Sequence, residues 1–327
     1  MILGLAALSR RARTASLAAL CVVGSSCVSL DAFFFNPTRI TSGDYSLNTY
    51  PAGFPEDKKI PLDRIERLQL TASDGTAVFA AIARQPDAAA AVTVLYHHGN
   101  ASNIDGYWSR IGQLFALGAN VLMYDYPGYG RTPGSPSEEG IYRSARAAQD
   151  YLRSAASGVD ASKIIHYGFS LGGGPATQLA WESLSGGLIL EAPFTSVMGL
   201  AADSSLVIPS SFLMSNRFDN KSKIRIAAQR AARGVLIVHG LDDDFVQPKY
   251  GRELWETICR DPVANRATLA LIEGADHGHV ACSNREGDCL PAADSSLYLT
   301  QVRAFLNSGA ATSAQRVCTE LPTPAAR

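Results

Sequence analysis

Apolar positions along the chain fall into short continuous runs that alternate with stretches of helical spacing. "RIERLQL" and "TAVFAAIAR" flank "TASDG" and read as a hairpin. "AVTVLYHHG" and "ANVLMYDY" are apolar runs of the kind that form strands buried on both faces. Between them "NIDGYWSRIGQLFALG" has helical spacing and stops at Gly118. A turn-rich loop, "PGYGRTPGSPS", leads into "SEEGIYRSARAAQDYLRSA", a helix opened by a capping-box-like Ser137. The rhythm repeats as "KIIHYGF" (strand), "GGPATQLAWESL" (helix) and "GLILEAP" (strand). It breaks over 195–232, where "SLVIPSSFLMSNRFDN" is apolar and irregular. It resumes with the strand "GVLIVHG", a helix over "KYGRELWETI", the strand "ATLALIEG" and a last helix near "SSLYLTQVRAFL". Alternating strands and helices predict an α/β fold, with a mainly parallel sheet flanked by helices on both faces.

The ends of the chain follow other rules. Residues 1–26 carry a basic cluster (Arg10, Arg11, Arg13), then an apolar stretch too short to span a membrane, then small residues before Cys27. This resembles a bacterial lipoprotein signal and makes Cys27 the expected site of lipidation. The alternatives are an ordinary secretory signal or an uncleaved anchor; all three predict a place in the cell envelope or outside the cell. Residues 27–60 read as a tether and an aromatic strap, 61–309 as the main domain and 310–327 as a loose tail.

Composition narrows the field. The chain has 327 residues, 46% apolar and 18% charged, with a net charge of −1, so no nucleic-acid partner is expected. Of six cysteines, Cys21 would leave with the signal and Cys27 would carry lipid. Cys259, Cys282, Cys289 and Cys318 remain, an even set suited to an oxidising compartment. Cys282 and Cys289 flank the polar loop "SNREGD" and are the expected disulfide pair. No CxxC spacing supports zinc, and no cofactor is expected.

The candidate chemistry starts at "HYGFSLGGGPATQLA". Gly-x-Ser-x-Gly is weak as a pattern, but here it joins an apolar strand to a helical run. A tight strand–turn–helix needs small neighbours, supplied by Gly168 and Gly172, and projects the Ser170 hydroxyl from the sheet edge. The Leu171 N–H then sits at a helix N-terminus, placed to face developing negative charge. The plainer alternative is a glycine-rich turn. A serine hydroxyl needs a base. Of six histidines, His277 in "GADHGH" follows a strand at the same edge, with His279 as its rival; His166 and His239 read as structural. The orienting acid is sought in "VHGLDDDFVQP", which offers Asp242, Asp243 and Asp244, with Glu191 after "GLIL" as an alternative. A second oxyanion donor is expected at Asn100 in "YHHGN". "DHGH" also raises a metal-dependent hydrolase, without a third ligand at familiar spacing.

These motifs, with "HHGNASNIDGYW", "YDYPGYGRTPGSPSEEG", "LEAPFTS" and "RFDN", resemble the α/β-hydrolase superfamily over roughly residues 64–307. Within it they look like the small-cap branch that includes abhydrolase-domain depalmitoylases. The resemblance implies an α/β-hydrolase fold with a Ser170–His277–Asp243 triad and oxyanion donors at Leu171 and Asn100. Asp276 stands where the family often has glycine, and Pro248 falls a residue late. Residues 195–232 become a small irregular cap, with Phe194, Phe212, Leu213 and Met214 walling an acyl pocket and Tyr126, Tyr129 and Arg131 near its rim. The implied activity is hydrolysis of an ester or thioester through an acyl-enzyme. A peptidase or amidase, or a non-catalytic envelope protein, are the alternatives. The hydrolase reading needs a Ser170 hydroxyl that substrate can reach.

Overall fold

A computed structural model describes residues 35–203, 215–264, 266–282, 296–309 and 318–321. Its strands in chain order are β1 (Asn36–Pro37), β2 (Ile65–Thr71), β3 (Ala77–Ala83), β4 (Thr93–His97), β5 (Ala101–Ser102), β6 (Asn120–Tyr124), β7 (Ile164–Phe169), β8 (Gly187–Glu191), β9 (Val235–Gly240), β10 (Ala267–Ile272) and β11 (Thr319–Leu321). Nine of them form one sheet in the order β11-β10-β9-β8-β7-β4-β6-β3-β2. Neighbours from β11 to β6 are parallel, while β3 is antiparallel to both β6 and β2. The α/β fold and mainly parallel sheet predicted from the apolar rhythm are therefore borne out.

The helices are α1 (Trp108–Ala116), α2 (Glu138–Arg153), α3 (Gly173–Glu182), α4 (Val197–Asp203), α5 (Asn220–Arg230), α6 (Pro248–Cys259) and α7 (Leu297–Asn307). Consecutive strand residues point to opposite faces, which is why the buried runs carry no alternation. Val94 and Tyr96 join the core beneath α1 and α7, with Trp108, Ile111, Leu299 and Val302. Leu95 and Leu122 meet Ile141 and Leu152 of α2 on the other face. Ile237 and Leu269 meet Ile224 of α5 and Leu254 of α6 further along that face. Ser137 caps α2 by accepting a hydrogen bond from the Gly140 N–H at 3.1 Å.

Two segments differ from the sequence expectation. Residues 220–230 are not part of a cap: α5 buries Asn220, Ile224, Ala227 and Ala228, a helical face that covers the sheet in the crossover from β8 to β9. Small alanines and flanking lysines hide that face in a hydropathy pattern. The tail is not loose at Thr319–Leu321, which adds β11 to the sheet edge beside β10. A disulfide from Cys318 to Cys259, the last residue of α6, fixes it there, with the two Cα atoms 5.8 Å apart.

Candidate active site

The turn after β7 is shaped by close backbone approach. Ser170 has φ +52°, a left-handed conformation that costs a non-glycine residue energy and turns its side chain out of the strand–helix junction. A Cβ at Gly172 would lie 1.9 Å from the His97 carbonyl oxygen. One at Gly168 would lie 2.4 Å from the Gly172 carbonyl oxygen. Only glycine fits either place, so the turn can press directly against the end of β4. Residues Ser170–Gly172 make a single 3-10 turn that runs into α3. The Leu171 N–H therefore belongs to the first turn, where amides lack intrahelical partners.

Three distant segments meet at Ser170. Its hydroxyl lies 2.8 Å from His277 Nε2, and His277 Nδ1 lies 2.8 Å from Asp243 Oδ2. A carboxylate only accepts, so Nδ1 carries the proton and Nε2 is left free to accept from the serine. His277 follows β10 and Asp243 follows β9, so both reach the carboxyl edge at which β7 delivers Ser170. Asp243 is 2% exposed. Burial pushes its carboxyl pKa up, but hydrogen bonds from His239 and His277 outweigh that and hold it well below the usual carboxylate range. Its Oδ1 accepts the N–H groups of Phe245 (3.0 Å) and Val246 (2.7 Å). His239 Nε2 donates to the Val246 carbonyl at 2.7 Å and stands 3.3 Å from Asp243 Oδ2, so this histidine braces the acid loop.

The rival histidine is occupied elsewhere: His279 Nδ1 pairs with Asp276 Oδ1 at 2.8 Å, so the two histidines of "DHGH" face different partners. Among the described residues no group of three His, Cys, Asp or Glu side chains is placed to hold a metal.

The loop after β4 lies against the serine turn. A Cβ at Gly99 would come within 2.9 Å of the Phe169 ring. Asn100 is held by the Tyr129 hydroxyl, 2.9 Å from both its carbonyl oxygen and Oδ1, and the Asn36 N–H donates to Oδ1 at 3.2 Å. The Tyr126 hydroxyl donates to the His98 carbonyl at 2.7 Å. Both tyrosines are fully buried, so they pin this loop from below instead of lining a rim. Arg131 reaches out to Asp44 at 2.7 Å.

Glu191, the alternative acid, has other partners. Its Oε1 pairs with Arg110 Nη1 at 2.8 Å, and its Oε2 accepts from the Tyr167 hydroxyl at 2.7 Å. Burial opposes the Arg110 charge, and the neighbouring Glu191 outweighs it, holding the guanidinium pKa well above its ordinary range. The other arm, Nη2, donates to the Gly278 carbonyl at 2.5 Å. The guanidinium carbon lies 4.3 Å from the centre of the Phe169 ring. Nothing in the sequence pattern singles out Arg110 on α1.

Of the expected pocket residues, Phe194 is 2% exposed and packs in the core with Phe218 and Val197, where it walls no open surface. Phe212, Leu213 and Met214 lie outside the described residues, as do Cys27, the signal segment and Cys289. Cys282 is disulfide-bonded. Ser170 is only 5% exposed, less open than the sequence reading requires, because the turn that carries it is enclosed by the end of β4. The open part of the cluster is His277, whose side chain is 19% exposed, and Phe245, at 73%. The Phe245 ring lies 5.0 Å from the imidazole, centre to centre. Composition alone marks neither its exposure nor that contact.

The family described as Chlamydia CHLPS protein (DUF818) matches residues 73–184, about a third of the chain. An uncharacterized protein of Mycobacterium tuberculosis is 38% identical over 153 residues, 47% of this chain and 53% of its own length. The chain thus spans about half the length of that relative. Human alpha/beta hydrolase domain-containing protein 17B is 33% identical over 189 residues, covering 58% of this chain and 61% of that protein. The solved structure of the Pyrococcus furiosus esterase Pf2001 superposes with a TM-score of 0.57 at 17% identity, covering 85% of this chain and 98% of the esterase. The fold is that of the α/β hydrolases, with a serine, a histidine and an aspartate gathered at its carboxyl edge. The chain shares this fold with the esterase and is similar in sequence, over part of its length, to an alpha/beta hydrolase domain-containing protein.

Proposed function

We propose that this chain is a serine hydrolase that cleaves an ester or thioester through an acyl-enzyme. The observation that carries the reading is the continuous hydrogen-bonded line from Asp243 through His277 to Ser170, with 2.8 Å at each step. In this mechanism Ser170 Oγ attacks the acyl carbon while His277 Nε2 takes its proton. Asp243 holds the Nδ1–H tautomer and stabilises the imidazolium that forms. The N–H groups of Leu171 and Asn100 receive the oxyanion. His277 then gives its proton to the departing alcohol or thiol, and water repeats the sequence to release the acid.

The substrate class is argued from the opening and from the resemblance together. An aromatic ring exposed beside the base favours an apolar substrate, and the resemblance to depalmitoylases favours a fatty acyl thioester or ester. The names of the comparison proteins, an esterase and an alpha/beta hydrolase domain-containing protein, support hydrolase chemistry in general. We also propose a place in the cell envelope. The basic–apolar–small segment ending at Cys27 supports it, and the Cys259–Cys318 disulfide suits an oxidising compartment.

The test is a series of p-nitrophenyl esters of rising acyl length, run with the parent and Ser170→Ala. The variant is expected to lose roughly 10³-fold or more in kcat/KM and to resist labelling by a fluorophosphonate. Equal turnover by the two proteins would refute the reading. A rate that peaks at short acyl chains would keep the hydrolase and remove the fatty acyl assignment.

A further inference from the structure

Arg110 joins four elements of the fold at one point. It stands on α1, and one guanidinium arm reaches Glu191 at the end of β8, 2.8 Å away. The second arm holds the carbonyl of Gly278, the residue next to His277, at 2.5 Å. Its guanidinium carbon lies over the ring of Phe169, the residue before Ser170, at 4.3 Å, and the same ring has the His277 imidazole as a neighbour, 5.4 Å between centres. Glu191 is itself fixed by Tyr167, whose hydroxyl also meets that of Tyr298 at 2.7 Å. We infer that Arg110 is the positioning residue for His277: its guanidinium fork ties the loop that carries the base to the sheet and to the serine turn.

His277 and Gly278 lie on a connection after β10 rather than on a regular element. A base on a loop holds a 2.8 Å contact with its serine only if the loop backbone is fixed. The Gly278 carbonyl accepts a charge-assisted bond from a nearly buried cation, one of the stronger backbone anchors available. Planarity matters, because two arms serve two different loops while the face packs on a ring. A lysine ammonium keeps the charge beside Glu191 but has neither the second arm nor the flat face.

This inference rests on the hydrolase reading for its effect on turnover, and its test has a second readout that does not. The low-field NMR signal of the His277 Nδ1–H, assigned by its loss in His277→Ala, reports the bond to Asp243 directly. Parent, Arg110→Lys and Glu191→Gln are compared by that signal, by thermal unfolding and by ester kinetics. The parent is expected to show the signal. Arg110→Lys is expected to unfold within a few degrees of the parent, lose or broaden the signal, and drop kcat roughly 10- to 100-fold with KM nearly unchanged. Glu191→Gln, which keeps the side-chain shape but loosens the arginine, is expected to act in the same direction and carries the test if the lysine variant does not fold. A signal and kcat that survive in the folded variants overturn the tether, as does a parent without the signal. A parent that shows the signal but no Ser170-dependent turnover overturns the hydrolase reading, and the tether then stands or falls on the signal alone.

Discussion

Phe245 is a large apolar side chain, 73% exposed, on a loop whose backbone is anchored by the acid itself. Single exposed apolar residues are ordinary, but this one lies against the imidazole that would protonate a leaving group. The departing alcohol or thiol must come within hydrogen-bond reach of His277 Nε2, so an apolar leaving group would meet the ring. Phe245→Ala removes little packing, and its unfolding free energy is expected to stay within about 0.5 kcal/mol of the parent. Its kcat/KM for a naphthyl ester is expected to fall about threefold to tenfold, the scale of one aromatic contact. A methyl ester of the same acid should fall much less. Equal losses on both esters, measured side by side, would rule out contact with the leaving group. The residue scale also shows how one carboxylate is kept for one role. Glu191 ends β8 and Asp243 follows β9 at the same edge, yet Glu191 is paired with Arg110 while Asp243 turns to His277.

Among the elements, β11 is the least expected and the most easily isolated. Thr319–Leu321 pairs with β10 as an edge strand of three residues, and Cys318 ties it to α6 across 59 positions of sequence. A cross-link closing a loop of that length stabilises by roughly 2–4 kcal/mol, mostly by restricting the unfolded chain. The double variant Cys259→Ala/Cys318→Ala is therefore expected to lose about that much in urea unfolding. It should keep its fluorophosphonate labelling at Ser170, since β7 lies four strands from β11. Loss of labelling in a folded variant would show instead that the edge supports His277 through β10. The sheet strands were legible because each is a run of β-branched and aliphatic residues closed by glycine or a polar turn. Ser170, Asp243 and His277 were legible because each follows such a run. The edge strand was not, since "TEL" carries no periodicity and its pairing depends on a cysteine far away. Helix α5 was missed because alanine and lysine fill it, and Arg110 because a buried cation looks like a surface one until its partners are placed.

At the scale of the whole molecule, the sheet buries a polar chain directly beneath the serine turn, and that chain sets an acid limit. His97 Nδ1 lies 2.6 Å from the Tyr124 hydroxyl, His97 Nε2 lies 3.5 Å from His166 Nδ1, and His166 Nε2 lies 3.2 Å from the Gln149 amide. Burial, and then the charge of Arg153, push the His166 imidazole down to about 3. Burial, His166 and His98 hold His97 well below its ordinary value. Both are neutral in the folded protein at pH values where the unfolded chain, with histidines near 6.5, already binds protons. The unfolded state thus gains protons first, and stability falls as the pH drops below about 6.5. The slope approaches about 1.4 kcal/mol per pH unit for each such histidine, and the His166 share stops growing near pH 3, where the folded form protonates too. Above about pH 7 neither group contributes any dependence. Lowered carboxylates such as Asp243 begin to lose their contribution below about pH 5, as the unfolded carboxylates with pKa values near 4 take up protons, so the histidines dominate the interval from about 5 to 6.5. His166→Gln keeps an amide beside Gln149 and cannot take a proton. Between about pH 6.5 and 5 its urea-unfolding free energy is expected to decline less steeply than the parent's, by roughly 1 kcal/mol per pH unit. Parallel slopes would mean that this chain is not the acid-sensitive part of the core.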